Sequence, residues 1–267
     1  MSLPAASLSP PASPFDAMAA GYDDSFTHSR IGTLMRQAVW RRLEARFQPG
    51  DRLLELNCGT GEDAVHLARR GIYVLATDIS PAMVQITREK AERAGLSDRI
   101  EARVMRIEEV GPPPLWRAFD GVLSNFGGLN CVEDMGQVAE GLAACLQPGG
   151  IAMLCIMGPL CPWEWGWYLA KRQPGKALRR LKPGGAAWRG LTIRYPSIRA
   201  MRRAFAPSFR LLRANAVGAF VPPSYAETWA ARHERLLARL NAWERRMETL
   251  PPLPWLADHC LLEFARR

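Results

Sequence analysis

Several common patterns are missing from this 267-residue sequence, and each absence excludes a class of protein. The six cysteines are scattered singly, without a C-x-x-C pair, which argues against a zinc site, a redox motif and a small disulfide scaffold. The longest apolar stretch, which begins at Ile151, is too short to span a bilayer. No internal repeat is present. These absences favour a globular protein of a reducing, cytoplasmic compartment.

The N-terminal stretch "MSLPAASLSPPASP" lacks the basic and apolar regions of a signal peptide. Its Pro, Ser and Ala content predicts a disordered tail over residues 1–14. The rest of the chain has an ordinary composition, with 48% hydrophobic and 23% charged residues overall. We therefore expect residues 15–267 to form a single domain with insertions.

Acidic residues are almost absent from one segment. Residues 159–213 contain thirteen Lys or Arg and a single acid, Glu164, a net charge of +12. Because the whole chain carries +9, the remainder carries −3. The basic character is therefore local to this segment.

The first 157 residues alternate between short apolar runs and amphipathic stretches. Strands are predicted at 52–57, 72–78, 100–106, 119–125 and 151–157, and helices at 31–47, 60–70, 81–94 and 132–146. Ser80 is expected to cap the third of these helices, with Pro81 in its first turn, and "QPGG" to close the fourth. This alternation is typical of a doubly wound parallel sheet with helices on both faces.

After residue 157 the alternation stops. A basic, Trp-rich insertion is predicted over 159–195, followed by a helix at 197–205 and a strand at 209–217. A helix is predicted at 227–249, with an apolar face formed by Leu236, Leu240, Trp243, Met247 and Leu250. The last strand, "HCLLEFA", begins at His259. Two late strands around a helix would add an antiparallel edge to the sheet.

The stretch "LLELNCGTGEDA" at 53–64 raises the question of a ligand. A loop with two glycines, Gly59 and Gly61, lies between a strand and a helix, where free N–H groups face a bound anion or nucleotide. A second acid, Asp78, ends the next strand, where it would reach the hydroxyls of a ribose. Glu55 ends the first strand and would repel a pyrophosphate but attract a cationic or zwitterionic ligand.

Together with "FDAMAAGYDDSF", "VLATDISPAM", "FDGVLSNFGGLN" and "CLQPGGIAML", these residues resemble the class I S-adenosylmethionine-dependent methyltransferases. The resemblance runs from about residue 15 to 158 and resumes at the closing strands. It implies a Rossmann-like, mostly parallel sheet of seven strands with an antiparallel last strand. It also implies a helical lid inserted after strand five and N-terminal lid helices over 15–48.

The resemblance also implies a role for each matching residue. Glu55 and the loop would hold the methionine end of S-adenosylmethionine, and Asp78 its ribose. Tyr22 matches a lid residue over the site. The loop residues are Asn57, Cys58, Gly59, Thr60 and Gly61; the adenine neighbours are Ile79, Met83, Arg106 and Ile107; the methyl-transfer face is Ser124, Asn125 and Phe126. The acid that the family usually places near Arg106 is missing, so Glu108 or backbone groups would take its role.

The catalytic residues are less evident. Ser124 and Asn125 stand where a metal-dependent member would need carboxylates, so no metal is predicted. His28, just after the lid motif, is a candidate base, and Asn130 is placed to orient a substrate or to cap a helix locally. His66 is expected to be structural, and Cys58 to pack beside the cofactor.

The predicted acceptor is a small hydrophobic or aromatic molecule, methylated on oxygen, nitrogen or carbon. Residues 161–182 combine aromatic rings with Lys and Arg, which suits a lid over the pocket, contact with an anionic membrane or a lipid acceptor, or, less well, RNA. Two other functions stay open: a nicotinamide-dependent reductase, for which no Tyr-x-x-x-Lys pair is found, and a binding module without catalysis.

Overall fold

The structure, a computed structural model, describes residues 13–111 and 119–267. Most of the predicted tail, residues 1–12, and residues 112–118, which follow the predicted third strand, lie outside the described residues. The helices are α1 (Asp16–Tyr22), α2 (Arg30–Glu44), α3 (Glu62–Arg69), α4 (Pro81–Arg93), α5 (Met135–Cys145), α6 (Pro162–Ala170), α7 (Pro174–Ala177), α8 (Ile198–Phe205), α9 (Glu227–Arg232), α10 (Glu234–Met247) and α11 (Leu253–Leu256).

The strands form one large sheet and one small hairpin. They are β1 (Arg52–Leu56), β2 (Tyr73–Asp78), β3 (Ile100–Val104), β4 (Phe119–Ser124), β5 (Leu146–Ile156), β6 (Ala186–Trp188), β7 (Leu191–Ile193), β8 (Phe209–Val217) and β9 (His259–Arg266). Short 3₁₀ turns lie at Ile107–Glu109, Gly128–Cys131, Arg179–Leu181 and Ser224–Ala226, and a π-helical turn at Asp23–Thr27.

The seven-stranded sheet has the order β3-β2-β1-β4-β5-β9-β8. The pairs on the β1 side of β5 are parallel, whereas β9 runs antiparallel to both β5 and β8. The prediction of a seven-stranded, mostly parallel sheet with an antiparallel last strand is confirmed. Because β9 is reversed, its first residue, His259, lies at the edge where β1, β2, β4 and β5 end.

Helices cover both faces of the sheet. Leu53 belongs to one buried cluster with α2, α3 and α4, and its neighbour Leu54 belongs to another with α5 and α8. This alternation follows from the pleat, since successive side chains of a strand point to opposite faces. Ser80 caps α4 as predicted, accepting from the Met83 N–H at 3.2 Å.

The segment "QPGG" was predicted to close the helix α5, but in the structure it is part of the strand β5 and not a turn between α5 and β5. β5 begins at Leu146, which pairs with Phe119, and the register then shifts so that Gly121 pairs with Ile151. The four residues are accommodated as an irregularity inside the strand. The sequence prediction of β5 was therefore too short at its start.

The predicted helix over 227–249 and its apolar face are wrong in detail. The segment breaks at His233 into α9 and α10. Leu236, Trp243 and Leu250 are 42%, 52% and 51% exposed, whereas the inward face of α10 carries Leu237 and Glu244. The Glu244 carboxylate accepts from the N–H groups of Gly218, Phe220 and Val221 at 2.6, 2.9 and 3.0 Å. The burial of this acid follows from those three bonds, which periodicity does not reveal.

The insertion, residues 159–195, contains more than helices. After α6, α7 and a 3₁₀ turn it forms the β6–β7 hairpin, which was not predicted because each of its strands has only three residues. Its role as a lid stays a prediction.

Candidate active site

One cavity of about 460 Å³ opens at the carboxyl ends of the parallel strands. This is the edge at which open α/β sheets bind their ligands, and the volume lies in the usual range for small-molecule sites. The wall is assembled from the N-terminal helices, the loops after β1, β2, β3 and β4, and the insertion.

The glycine loop after β1 forms one part of the wall through Asn57, Cys58, Gly59 and Thr60. Its backbone is tightly coiled: Asn57, Gly59 and Gly61 have φ of +46°, +55° and +79°. Gly61 does not line the cavity. A Cβ on it would lie 2.6 Å from Cγ2 of Thr87, so glycine is needed there for both conformation and space.

Asp78, at the end of β2, lines the cavity and holds the glycine loop. Its Oδ2 accepts from the Gly59 N–H and its Oδ1 from the Ser80 N–H, both at 2.9 Å. Burial raises the pKa of Asp78, although these two backbone bonds oppose the shift. The Ile79 and Met83 side chains continue the wall beside it and give this end an apolar slot.

The loop after β3 contributes Arg106, Ile107 and Glu108 to the cavity wall. Arg106 Nη2 lies 3.6 Å from Glu108 Oε1, and the Arg106 N–H donates to Glu109 Oε2 at 3.0 Å. Glu108, one of the two predicted substitutes for the missing acid, thus lines the cavity beside Arg106, whereas the Arg106 N–H is already bonded to Glu109.

Glu55 lies beneath the loop and is not part of the cavity surface, since only 1% of it is exposed. Its Oε2 has no hydrogen-bond partner in the described part of the chain. Burial raises the pKa of Glu55 well above its ordinary value, repulsion by Asp63 and Asp78 adds to the shift, and Arg36 opposes it. A buried acid without a partner is costly, so the site favours a ligand that brings a cationic donor.

The comparisons with known proteins agree with this geometry. Residues 53–150 match the family model described as "Methyltransferase domain". Over residues 53–150 the chain is therefore similar to a methyltransferase domain. One relative is a demethylmenaquinone methyltransferase of Clavibacter sepedonicus, 32% identical over 144 residues, which are 53% of this chain and 55% of that protein. The matched part therefore spans little more than half of the relative.

Two solved structures show the same fold. A geranyl diphosphate C-methyltransferase from Streptomyces coelicolor A3(2) has a TM-score of 0.61 at 14% identity, covering 97% of this chain and 86% of that one. An S-adenosylmethionine dependent methyltransferase from Mesorhizobium loti has a TM-score of 0.54 at 19% identity, covering 85% and 97%. At such identities the likeness concerns the fold alone.

The cavity wall contains an ionic cluster that the sequence did not reveal. Arg36 of α2 bonds to Asp63 Oδ2 at 2.6 Å, and both side chains are buried and line the cavity. Trp40 and Asn125 also donate to Asp63, at 2.6 and 2.9 Å. Burial alone would raise the pKa of Asp63, but Arg36 and these hydrogen bonds have the larger, opposite effect. The net shift of the pKa is therefore downward. Nothing in the spacing of α2 singles out Arg36.

The methyl-transfer face predicted after β4 is a bonded unit with the glycine loop. Ser124 Oγ donates to Asn57 Oδ1 at 2.6 Å, and Asn57 Nδ2 donates to the Asn125 carbonyl at 2.5 Å. Asn125 and Phe126 line the cavity, whereas Ser124 is buried behind them. A Cβ on Gly128 would lie 2.2 Å from Cγ of Asn57, so this contact needs glycine.

Tyr22 closes the same region from the N-terminal side. Its side chain lines the cavity, and burial raises its pKa to about 12. The adjoining Asp23 accepts from Thr60 at 2.6 Å and pairs with Lys90 at 2.7 Å. These bonds attach the N-terminal helices to the glycine loop.

The two catalytic candidates are not brought to the cavity. His28 is exposed and lies outside the wall. Asn130 is fully buried and occupied: its Nδ2 donates to the carbonyls of Met157 at 2.9 Å and Arg194 at 2.5 Å, and its Oδ1 accepts from the Met157 N–H at 3.0 Å. These bonds join the end of β5 to the insertion. They are neither a substrate contact nor a local helix cap.

The other histidines have protein partners. His66 stacks on Trp40 with ring centroids 3.7 Å apart, and its Nε2 lies 3.0 Å from Glu44. His259 is buried, with Nδ1 3.1 Å from Asp258, and packs edge-on against Phe126 at 5.6 Å. Within residues 13–111 and 119–267, no histidine lines the cavity and no group of three metal-ligating side chains is found.

The insertion supplies the second half of the cavity, which the sequence did not assign. Ala186, Ala187, Trp188, Leu191 and Ile193 of the hairpin line it, together with Phe15 and Met18 from the N-terminal side. This half is mostly apolar, although the insertion also adds Arg179 and Tyr195 to it, in contrast to the charged half around Asp63 and Asp78.

Proposed function

We propose that the protein transfers a methyl group from S-adenosylmethionine to a small hydrophobic or aromatic acceptor, with residues 15–267 acting as one domain. The observation that carries this proposal is the division of one cavity into a polar half above Glu55 and an apolar half under the hairpin. The first half fits a zwitterionic nucleoside, and the second fits an uncharged ring or chain.

The residues present fit the cofactor. Glu55 has an unpartnered buried oxygen for an ammonium group, and the Arg36 guanidinium is at hand for a carboxylate. Asp78 lies at the edge where a ribose is held, and Ile79, Met83 and Ile107 give an apolar slot for adenine. Tyr22, Asn57 to Thr60, Asn125 and Phe126 line the same cavity, which supports the contacts proposed for them. When bound, S-adenosylmethionine supplies an electrophilic methyl group on a sulfonium.

The chain then has to align the acceptor and exclude water. Alignment converts a bimolecular displacement into an intramolecular one, which accounts for a large part of the rate in such reactions. The apolar hairpin and the N-terminal helices would act as lids that keep water from the acceptor. The acceptor loses a proton as it gains the methyl group, and its acidity decides whether a base is needed.

No histidine lines the described cavity, and the carboxylate of Asp78 is engaged by the N–H groups of Gly59 and Ser80. Burial raises the pKa of Tyr22 to about 12 and that of Cys131 to about 11, so both stay protonated in the cell. Asp63 is tied to Arg36. We infer that catalysis rests on positioning and on the intrinsic acidity of the acceptor.

The relatives give a first acceptor to assay. They are described as demethylmenaquinone methyltransferases, and such a quinone has an apolar ring of the kind that the hairpin half fits. The aligned part covers little more than half of each protein. The acceptor of these relatives is therefore a compound to assay with this protein, not an assignment.

The test is calorimetry with S-adenosylmethionine, S-adenosylhomocysteine, NADH and NADPH. We expect micromolar affinity for the first two and none for the nicotinamides. Asp78→Ala should weaken binding at least tenfold, since charge-assisted bonds to the ribose contribute about 1.5–3 kcal/mol each. Asp98→Ala, at an exposed turn, is the control. Tight binding of NADH without a response to S-adenosylmethionine would overturn the proposal. Binding without methyl transfer to any acceptor would leave the binding-module function.

A further inference from the structure

The aromatic residues of the insertion face the protein. Trp163 Nε1 donates to the Ala219 carbonyl at 3.1 Å, and its ring packs 6.2 Å from that of Trp229. Trp167 and Tyr168 pack against Tyr225 at 5.5 and 5.3 Å. Trp163 and Trp167 of α6 therefore anchor the insertion to residues 219–229. Neither of them lines the cavity.

Two of the arginines are also used internally. Arg180 is 4% exposed and bonds to Glu164 Oε2 at 2.9 Å and to Asp258 Oδ1 at 2.5 Å. Arg179 forms a two-pronged pair with Glu164, at 2.8 and 3.0 Å. Glu164, the single acid of the segment, is thus buried and paired with Arg179 and Arg180. Its charge does not offset the cations on the surface.

What remains outside is a surface of leucines and cations. We call it the leucine–lysine surface: Leu169, Leu178, Leu181, Lys171, Arg172, Lys176 and Lys182. The three leucines are 53%, 48% and 47% exposed, and the four cations are exposed as well. The residues lie on or next to α6, α7 and the 3₁₀ turn that follows, and α6 and α7 contact each other. No acid follows Glu164 in the sequence until Glu227.

None of the four cations has a salt-bridge partner among the described residues. Lys171 lies 4.3 Å from the centre of the Trp167 ring and Lys176 lies 5.7 Å from that of Tyr168. Both aromatic contacts hold the ammonium groups near the protein surface without neutralising them.

We propose that the leucine–lysine surface docks on an anionic lipid bilayer. Half-exposed leucines on short helices are suited to enter the boundary between headgroups and acyl chains, while cations around them meet anionic headgroups. Each Lys or Arg near such a leaflet raises the partition coefficient roughly fivefold. RNA is the poorer partner, because bases stack on exposed aromatic faces and the rings here are turned inward.

Docking would also place the cavity next to the bilayer. Leu178 adjoins Arg179, which lines the cavity, and the hairpin lining follows within the same insertion. A hydrophobic acceptor dissolved in the membrane would then reach the site from the lipid side. This last step rests on the proposed function, whereas the docking itself does not.

The test is flotation with vesicles of phosphatidylcholine alone and of equal parts phosphatidylcholine and phosphatidylglycerol. The full-length protein should bind only the anionic vesicles, and high salt should weaken binding at least tenfold. The double variant Leu178→Ser/Leu181→Ser should lose at least tenfold in partition. The matched control is Leu236→Ser/Leu250→Ser on and after α10, where the leucines are similarly exposed but lie outside this surface; it should bind like wild type.

Calorimetry with S-adenosylmethionine on the same variants shows that they are folded and separates the two proposals. Unchanged cofactor affinity with no binding to anionic vesicles at low salt overturns the docking alone. Vesicle binding without any cofactor affinity overturns only the proposed function. Equal loss in the control variant, or a leucine variant that still floats like wild type, would also refute the assignment. Binding of a single-stranded RNA oligonucleotide with no vesicle binding would assign the cations to nucleic acid.

Discussion

Phe15 and Trp188 contact each other with ring centroids 5.4 Å apart, and both line the cavity. Phe15 precedes α1 and Trp188 ends β6, so the N-terminal helices and the insertion meet here. The apolar half of the cavity is thus built from two segments, one that precedes β1 and one that lies between β5 and β8.

Trp188→Ala should raise the KM for the acceptor by roughly tenfold or more, because the loss of the ring removes about 1.4–2 kcal/mol of apolar contact. The affinity for S-adenosylmethionine should stay as in wild type. Steady-state kinetics and calorimetry check the two parts. Trp255→Ala, which removes an exposed ring outside the cavity, serves as the control. A lower affinity for S-adenosylmethionine with an unchanged KM for the acceptor would instead place Trp188 in the cofactor half of the cavity.

The pH dependence of Glu55 should differ in sign between stability and binding. Burial raises the pKa of Glu55 in the folded protein. Between the pKa of the unfolded chain and that of the folded protein, the folded protein holds a proton that the unfolded chain has lost. The free energy of unfolding therefore falls as pH rises across this range. An ammonium ligand favours the ionised acid, so binding releases the proton and affinity rises with pH across the same range.

Thermal unfolding and calorimetry at several pH values, the latter in two buffers of different ionisation enthalpy, measure both trends. Glu55→Gln should flatten both, and it should lower affinity most at high pH. A cofactor affinity that is independent of pH in wild type would show that Glu55 does not meet the ammonium group.

Gly128→Ala should weaken cofactor binding at least tenfold, because its Cβ would overlap Asn57 at 2.2 Å and displace the glycine loop. Gly158→Ala is the matched control, since nothing lies within 4 Å of the added carbon. Calorimetry compares the two. Equal affinities would mean that the Asn57 side chain moves aside at no cost.

Asn130→Ala should lower the free energy of unfolding by about 1–3 kcal/mol, because it leaves buried groups of Met157 and Arg194 unsatisfied. Denaturant unfolding measures the change, with Asn241→Ala in α10 as the control. A large fall in kcat with unchanged stability would instead support the catalytic role that the sequence raised.

Methyl transfer, once an acceptor is found, should survive chelation. Ser124 and Asn125 follow β4 where carboxylates would be required, and no cluster of metal ligands is present in the described ranges. Activity in EDTA is compared with activity in magnesium. Loss in EDTA with recovery in magnesium would show that a metal enters with the substrate.

The core of the fold was predictable because its signals are local. Ser80 and Pro81 announce the start of α4, and the apolar runs of β1 and β2 end in the acids that mark the site. Each depends on neighbours in the sequence. The number of strands and the reversed β9 followed from the family resemblance.

The misses depend on distant partners. Glu244 is buried because three backbone N–H groups of residues 218–221 point at it, and Asn130 is buried because the insertion returns to it. The pairing of Arg36 with Asp63 likewise joins two helices. No periodicity records such bonds, so the inward face of α10 was assigned wrongly and the protein partners of Asn130 were not predicted.

The charge cluster around Arg180 also determines when the insertion can fold during synthesis of the chain. Two arginines and two carboxylates balance there only when Asp258 has joined Glu164, and Asp258 is synthesised long after the insertion. Before that, closing the insertion would bury an uncompensated positive charge, which is strongly unfavourable. We therefore expect a nascent chain that stalls before Asp258 to leave residues 159–195 open to protease, and the arrival of the last strand to close them.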